Sequence, residues 1–194
     1  MKKLMVVLLC ALLAGLCACG QSETSKWKIK TNKKDPYSYV IKEYYDLNAY
    51  ARYYYALYDI DGNGTQELLM GVDHWGYIGL VAIYIIQNDV AIEQELWWMD
   101  EQPPNLLFKN GTVRGEGSGN ERILSYGYYR FEAGELKWQI SLNINNGEYL
   151  KRYPSDSMTF IPIDKEEYEC LKQEMEGDGQ IVDLNWKPLA EYGR

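Results

Sequence analysis

The stretch that decides the fold is residues 53–86, YYYALYDIDGNGTQELLMGVDHWGYIGLVAIYII. Its aromatic start, Tyr53–Tyr58, favours a β-strand, because aromatic side chains fit the pleated surface of a sheet. A polar loop at 59–67 separates this run from a second apolar run at 68–72. The long apolar and β-branched run at 78–86 predicts a central strand. Three strands joined by short loops predict an antiparallel sheet.

Turn signals extend this antiparallel meander towards the C-terminus. Asn110-Gly111 predicts a hairpin, because Asn-Gly readily supplies the positive φ angles of a tight primed turn. The segments 87–89 and 132–134 and the pair Asn146-Gly147 mark further turns. The additional strands are predicted at 90–98, 106–109, 112–115, 122–131, 135–144, 148–153 and 181–186.

Two helices flank the predicted sheet. Residues 38–51 place apolar side chains near helical spacing, which favours an N-terminal helix. Residues 164–176 begin with Asp164 as an N-cap, followed by acidic side chains that are favourable at a helix start. The expected fold class is therefore α+β, with a mainly antiparallel, twisted sheet between an N-terminal and a C-terminal helix.

The loop at 59–67, DIDGNGTQE, carries a pattern typical of calcium loops. Oxygen-bearing side chains stand at alternate positions, a glycine at the sixth position lets the chain wrap, and a carboxylate stands at the ninth. Three of the side chains are negative and would repel one another without a cation. The predicted metal ligands are Asp59, Asp61, Asn63, the Thr65 carbonyl and Glu67.

This loop departs from an EF-hand, because Met70 stands where a bidentate glutamate belongs and Gln66 where an aliphatic residue is usual. It resembles instead the DxDxDGxxD/E calcium loops that join strands in integrin-type and related secreted repeats. The stretch 55–71, YALYDIDGNGTQELLMG, is similar to a signature of uncharacterised lipoproteins of Gram-positive bacteria. That resemblance implies a structural calcium ion but no activity. The alternative is an Asp/Asn/Gly turn without metal, since these residues favour turns for local reasons.

The N-terminus resembles a bacterial lipoprotein signal. Two lysines precede an apolar run at 4–18, which is shorter than the ~20 residues that a membrane span needs, and Cys19 follows. In such a signal the cysteine after the cut is acylated, as with palmitate, and becomes the new N-terminus. We therefore expect a signal peptide at 1–18, a lipid anchor and tether at 19–36 and a single domain at 37–194, on the outer face of the cytoplasmic membrane. An ordinary secretory signal is the alternative.

The net charge of the chain limits the classes of partner that it can bind. The formal net charge is −8 and becomes −10 when Lys2 and Lys3 are removed, so we expect no nucleic-acid partner. Five lysines at 26–34 adjoin the anchor and suit either an anionic membrane surface or a solvated tether. Cys170 is the one cysteine beyond residue 19, so we expect no intramolecular disulfide in the acylated protein, and we predict a monomer.

Catalytic signatures are weak. His74 is the only histidine, and a surface role for it is favoured over acid–base chemistry. The sequence contains neither a metalloprotease nor a serine-hydrolase motif. Tyrosine and tryptophan are abundant and favour half-exposed positions, so an aromatic groove for a sugar or peptide is a hypothesis, against the simpler view that tyrosine fills strands. The residues of that groove are Trp75, Trp97 or Trp98, Tyr126, Tyr128 and Tyr129.

These observations favour a non-enzymatic, lipid-anchored cell-surface module with one structural calcium ion. Its ligand would be an extracellular glycan or protein. Two alternatives stay open: a cell-envelope hydrolase that uses paired carboxylates, and a surface inhibitor or interaction protein. A hydrolase requires two convergent carboxylates roughly 5–9 Å apart in a cleft. An inhibitor requires a flat apolar patch of several hundred Å².

Overall fold

A computed structural model describes residues 28–30, 35–47, 52–74, 76–94, 96, 105–120, 123–156 and 159–193. Two α-helices and twelve strands form within these residues. The helices are α1, Ser38–Leu47, and α2, Lys165–Glu176, and a 3-10 turn follows at Leu189–Glu191. The first six strands are β1 Lys28–Lys30, β2 Tyr53–Tyr58, β3 Glu67–His74, β4 Tyr77–Gln87, β5 Val90–Gln94 and β6 Leu106–Leu107. The others are β7 Val113–Asn120, β8 Ile123–Glu132, β9 Glu135–Asn145, β10 Glu148–Arg152, β11 Ile161–Ile163 and β12 Lys187–Pro188.

The strands form two six-stranded antiparallel sheets. Sheet 1 has the order β1-β5-β4-β3-β2-β12, and sheet 2 has the order β11-β10-β9-β8-β7-β6. Most neighbours in each sheet are also consecutive in the chain, which is the predicted meander. Three two-residue turns, at 88–89, 133–134 and 146–147, have positive φ at both positions, as primed hairpin turns require.

The two sheets pack face to face through a shared apolar cluster. β-Bulges decide which side chains point into it. A register shift in the β3–β4 pair leaves Val81 without a partner, so Leu80 points between the sheets while Ala82, two residues later, points to the other face. The buried residues between the sheets are Ala56, Ile60, Leu69, Leu80, Ile83, Leu107, Val113, Tyr129 and Val182.

Each helix covers the outer face of one sheet, which gives four layers in the order helix, sheet, sheet, helix. Helix α1 packs Val40 and Ile41 against sheet 1. Helix α2 packs Tyr168 and Met175 against the outer face of sheet 2. The α2 N-terminus is capped by Asp164, whose Oδ1 accepts a hydrogen bond from the Glu167 N–H at 2.8 Å.

Side chains from β8 and from the β6–β7 turn also hold the C-terminal end of α2. The last carbonyls of a helix lack partners within the helix. Here the Asn110 Nδ2 donates to the Met175 carbonyl at 2.9 Å, and the Arg130 Nη2 donates to the Glu174 carbonyl at 2.8 Å. These bonds anchor the C-terminal end of α2.

The α+β class, the antiparallel pairing and the two flanking helices are confirmed, but several finer predictions are wrong. The expected tether contains β1, which pairs with β5 at the edge of sheet 1. The predicted strand at 181–186 is reduced to one bridge, between Ile181 and Phe108. At Asn110-Gly111 only the glycine has positive φ, so the hairpin forms without a primed turn. The single sheet is two sheets, and the chain passes from sheet 1 to sheet 2 between β5 and β6, the interval that contains Pro103-Pro104.

Candidate metal centre

The acidic loop closes the β2–β3 hairpin. Tyr58 pairs with Glu67 across the two strands, so that residues 59–66 project from the end of the ladder. Gly62 and Gly64 both adopt the left-handed conformation, with φ of 71° and 86°. Residues other than glycine enter this region with difficulty, so the two glycines allow the loop to curl back on its own side chains.

The curled loop brings three carboxylates together. One oxygen each of Asp59, Asp61 and Glu67 lies within 4.8 Å of the other two. Asp61 is exposed and Asp59 is half-buried, whereas Glu67 keeps only 4% of its surface exposed. Buried carboxylates normally require a partner, because removing a charge from water is costly. The group therefore offers a concentrated negative site that is open to solvent on one side.

Backbone N–H groups of the loop hold these carboxylates in position. The Asn63 N–H lies 3.0 Å from the Asp59 Oδ1, which accepts its hydrogen bond, and the Gly64 N–H donates to the Asp59 Oδ2 at 2.9 Å. The Glu67 Oε2 accepts a hydrogen bond from the Ile60 N–H at 2.8 Å. Each carboxylate oxygen can accept more than one bond, so this arrangement still leaves capacity for a cation.

The electrostatics of the site favour a cation. Burial raises the pKa of Glu67, and the nearby charges of Asp61 and Asp59 raise it further. Two like charges 4.8 Å apart repel by roughly 1 kcal/mol in water and by roughly 3.5 kcal/mol at an effective dielectric constant of 20. A divalent cation would turn these repulsions into attractions.

The other two predicted ligands are tied into the loop. The Asn63 Oδ1 accepts a hydrogen bond from the Thr65 N–H at 2.7 Å, and the Asn63 Nδ2 donates to the Asp61 Oδ2 at 2.9 Å. Asn63 therefore adjoins the acidic group, and Thr65 contributes its N–H to the same network. The atoms that could coordinate a metal are all hard oxygens, which fit Ca²⁺ or Mg²⁺ rather than softer metals. The residues fit a metal ion.

One residue that supports the loop, Tyr37, has no signal in the sequence. The Tyr37 hydroxyl donates to the Gln66 carbonyl at 2.9 Å and contacts the Tyr84 carbonyl at 3.3 Å. Tyr37 precedes α1 and lies 29 residues from Gln66, so no local pattern connects the two. Burial raises the pKa of the Tyr37 hydroxyl, which keeps the group neutral as a donor. Tyr37, directly before α1, thereby holds the end of the acidic loop in place.

The predicted aromatic groove is not assembled by the described residues. Tyr128 is completely buried and donates to the Glu176 Oε1 at 2.7 Å, so its ring cannot line a surface groove. Tyr129 is also buried, within the cluster between the sheets. Tyr126 is half-buried, with the Arg114 guanidinium 4.6 Å from its ring centre. Four other predicted site residues lie outside the described residues: Cys19, Trp75, Trp97 and Trp98.

A second polar cluster lies between α2 and sheet 2. The Arg114 Nη1 is 2.7 Å from the Glu176 Oε1, and the Arg114 Nη2 is 3.5 Å from the Glu116 Oε2. The side chains of Arg114 and Glu176 are each 14% exposed. Both carboxylates are paired with the same arginine. The arginine and the two carboxylates form an ion-pair cluster that joins α2 to sheet 2.

Comparison with known proteins adds no relative. No protein-family model matches the chain, and neither a curated protein nor a solved structure is significantly similar to it. Among the described helices, none combines the length and the apolar character needed to cross a bilayer.

Proposed function

We propose that this protein is a non-catalytic binding module on the outer face of the cytoplasmic membrane, held there by a lipid on Cys19 and stabilised by one calcium ion. The observation that carries the calcium proposal is the acidic group of Asp59, Asp61 and buried Glu67, with oxygens within 4.8 Å of one another. The lipid anchor is supported by the signal-like N-terminus. The ligand of the module is an extracellular glycan or protein.

Calcium suits this loop better than magnesium. Ca²⁺ accepts six to eight oxygen ligands in flexible geometry, whereas Mg²⁺ demands a near-ideal octahedron and gives up its water reluctantly. The loop offers carboxylates, the Asn63 amide and backbone carbonyls from a short, irregular turn. The ion would supply charge neutralisation and would fix the end of the β2–β3 hairpin.

Calorimetric titration with CaCl₂ and MgCl₂ tests the metal. The sample is the processed chain, residues 19–194 with Cys19→Ser, which contains every described element. We expect a calcium Kd of about 10⁻⁴–10⁻³ M, as in other extracellular modules, and weaker binding of magnesium. At about 10 mM calcium, such affinities stabilise the fold by roughly 1.4–2.7 kcal/mol.

The matched variants are Asp61→Asn and Asp183→Asn. Both remove one exposed carboxylate, but only Asp61 belongs to the acidic group. We expect D61N to weaken calcium binding by about tenfold, equal to roughly 1.4 kcal/mol, and D183N to leave it unchanged. Absence of a calcium signal and of any calcium-dependent rise in Tm would refute the metal proposal.

The anchor is tested in cells. We expect the natural chain to incorporate labelled palmitate and to fractionate with membranes, and Cys19→Ser to abolish both. Unchanged membrane association and labelling in the Cys19→Ser variant would show that the signal is not a lipoprotein signal.

A further inference from the structure

A cleft of about 400 Å³ lies beside the acidic loop, between the β2–β3 hairpin and the C-terminal segment. Its volume falls within the range of roughly 300–1,000 Å³ that is typical of small-molecule sites. Residues from distant parts of the chain line it, among them Asp35, Leu57, Gln66, Asn185, Lys187 and Tyr192. No sequence motif joins these residues, because only the tertiary fold brings them together.

One wall of the cleft is fixed by contacts between the two ends of the fold. The Tyr192 hydroxyl donates to the Asp35 Oδ1 at 2.6 Å. The ring of Tyr192 packs edge-on against that of Tyr55, with 5.0 Å between the ring centres. β12 pairs Lys187 with Tyr55, which places the C-terminal segment along the sheet edge. These contacts hold the wall in place, so ligand binding does not have to order it.

Three polar side chains at the cleft are available for binding. Gln66, Asn185 and Lys187 are exposed at the cleft. Within the described part of the chain, their side chains make no hydrogen bond or ion pair. Two amides and an ammonium, together with the Asp35 carboxylate, provide both donors and acceptors.

We propose that this cleft binds a short, neutral carbohydrate. A sugar hydroxyl both donates and accepts, so it matches a lining of mixed polarity, whereas a ligand that only accepts or only donates does not. The side chain of Leu57 offers apolar surface to the C–H face of a sugar ring, and it is 39% exposed. Lys187 and Asp35 contribute one positive and one negative charge, so the lining carries no net charge and does not favour an ion of either sign. This inference rests on the proposed binding function, for which it supplies a site and a ligand class.

An extended peptide fits the cleft less well. Peptides that bind at a sheet edge do so by adding a strand. β12 already covers Tyr54 and Tyr55, so only residues 56–58 of β2 lie beyond it. Three residues can form at most a short ladder of hydrogen bonds with a peptide strand.

The cleft also adjoins the calcium loop. Gln66 stands between Thr65 and Glu67, and its carbonyl accepts the hydrogen bond from Tyr37. An ion held by Glu67 would therefore fix one wall of the cleft, and sugar binding is best measured with calcium present.

Saturation-transfer NMR and calorimetry of the processed chain in millimolar calcium test the inference. The probes are glucose, N-acetylglucosamine, its β-1,4-linked disaccharide, maltose and cellobiose, together with an unstructured peptide. We expect at least one sugar to bind at low-millimolar concentration and the peptide not to bind. Asn185→Ala and Lys187→Ala should each weaken sugar binding by about two- to tenfold, the loss expected for one hydrogen bond.

The control is Gln173→Ala, which removes an exposed amide on α2 and should change nothing. Unchanged Tm values show that the variants remain folded. The inference is overturned if no sugar binds, if binding survives both cleft variants, or if the peptide binds instead. If the protein binds calcium but no sugar, only the proposal that the cleft binds a sugar is overturned. If immobilised protein still retains a component of a cell-envelope extract when both cleft side chains are removed, the binding function stands and the site lies elsewhere.

Discussion

Replacing Glu176 by alanine is the most informative test of how this fold is held together. Glu176 ends α2, and its Oε1 accepts hydrogen bonds from the Arg114 Nη1 and from the Tyr128 hydroxyl, both at 2.7 Å. Arg114 comes from β7 in sheet 2, and its guanidinium is stacked 5.6 Å from the ring centre of Phe108. Removing the carboxylate leaves a largely buried cation and a buried hydroxyl without their acceptor.

The size of the effect follows from burial. Breaking a buried ion pair by removing one partner typically costs about 3–5 kcal/mol. Glu116, with its Oε2 3.5 Å from Arg114, partly compensates, so we expect a loss of about 3 kcal/mol for E176A. For a domain of this length that corresponds to a fall in Tm of roughly 6–12 °C. The matched control is Asp46→Ala, which breaks the Lys42–Asp46 pair on α1.

The control pair has similar geometry but a different environment. Its N–O distance is 3.0 Å, and its side chains are 73% and 65% exposed. Exposed helical pairs of this spacing contribute about 0.3–0.5 kcal/mol. Urea unfolding of both variants and of the natural sequence, followed by circular dichroism, gives the free energies directly. A loss below about 1 kcal/mol for E176A, or equal losses for E176A and D46A, would refute the view that burial decides the strength of these pairs.

Two further predictions concern packing and pH. A methyl group at Gly71 would lie 2.6 Å from the Ile78 Cγ2, so Gly71→Ala should lower the free energy of unfolding by about 1–3 kcal/mol in urea titrations, and an unchanged value would contradict the close packing. Burial raises the pKa of Tyr37 and Tyr84 above 10.0, so unfolding releases their protons above that pH. The contribution of these two hydroxyls to stability should therefore be constant below about pH 10 and fall above it, by roughly 1.4 kcal/mol per pH unit for each group, and Tm measured between pH 8 and 11 should drop only at the alkaline end.

Local features of the fold were readable from the sequence. The Asp164 cap begins α2 as predicted, because the bond to the Glu167 N–H spans only three residues. The Asn146-Gly147 turn likewise lies between β9 and β10, since its positive φ angles depend on those two residues alone. Interactions of this range are encoded in adjacent side chains.

Predictions failed where pairing or packing involves distant segments. β1 is only three residues long, and its partner strand β5 follows more than 50 residues later in the chain. The pattern at 28–30 therefore could not reveal this pairing. Residues 181–186 have strand-like composition, but their apolar side chains serve the cluster between the sheets rather than a ladder. The bulge at Val81, which redirects Leu80 and Ala82 to opposite faces, also has no local signature.

The candidate site likewise combines features that depend on neighbouring residues with features that depend on the tertiary structure. The spacing of Asp59, Asp61 and Glu67 and the glycines between them are a property of nine consecutive residues, so the sequence alone determined that an oxygen-rich loop would form. Only the tertiary structure decided that Glu67 is buried and that Tyr37, just before α1, donates a hydrogen bond to the loop. Only it brought Tyr192 to Asp35, across 157 residues, to build the adjoining cleft. Short-range geometry depends on neighbouring residues, whereas burial and convergence depend on how whole layers pack, which no local pattern contains.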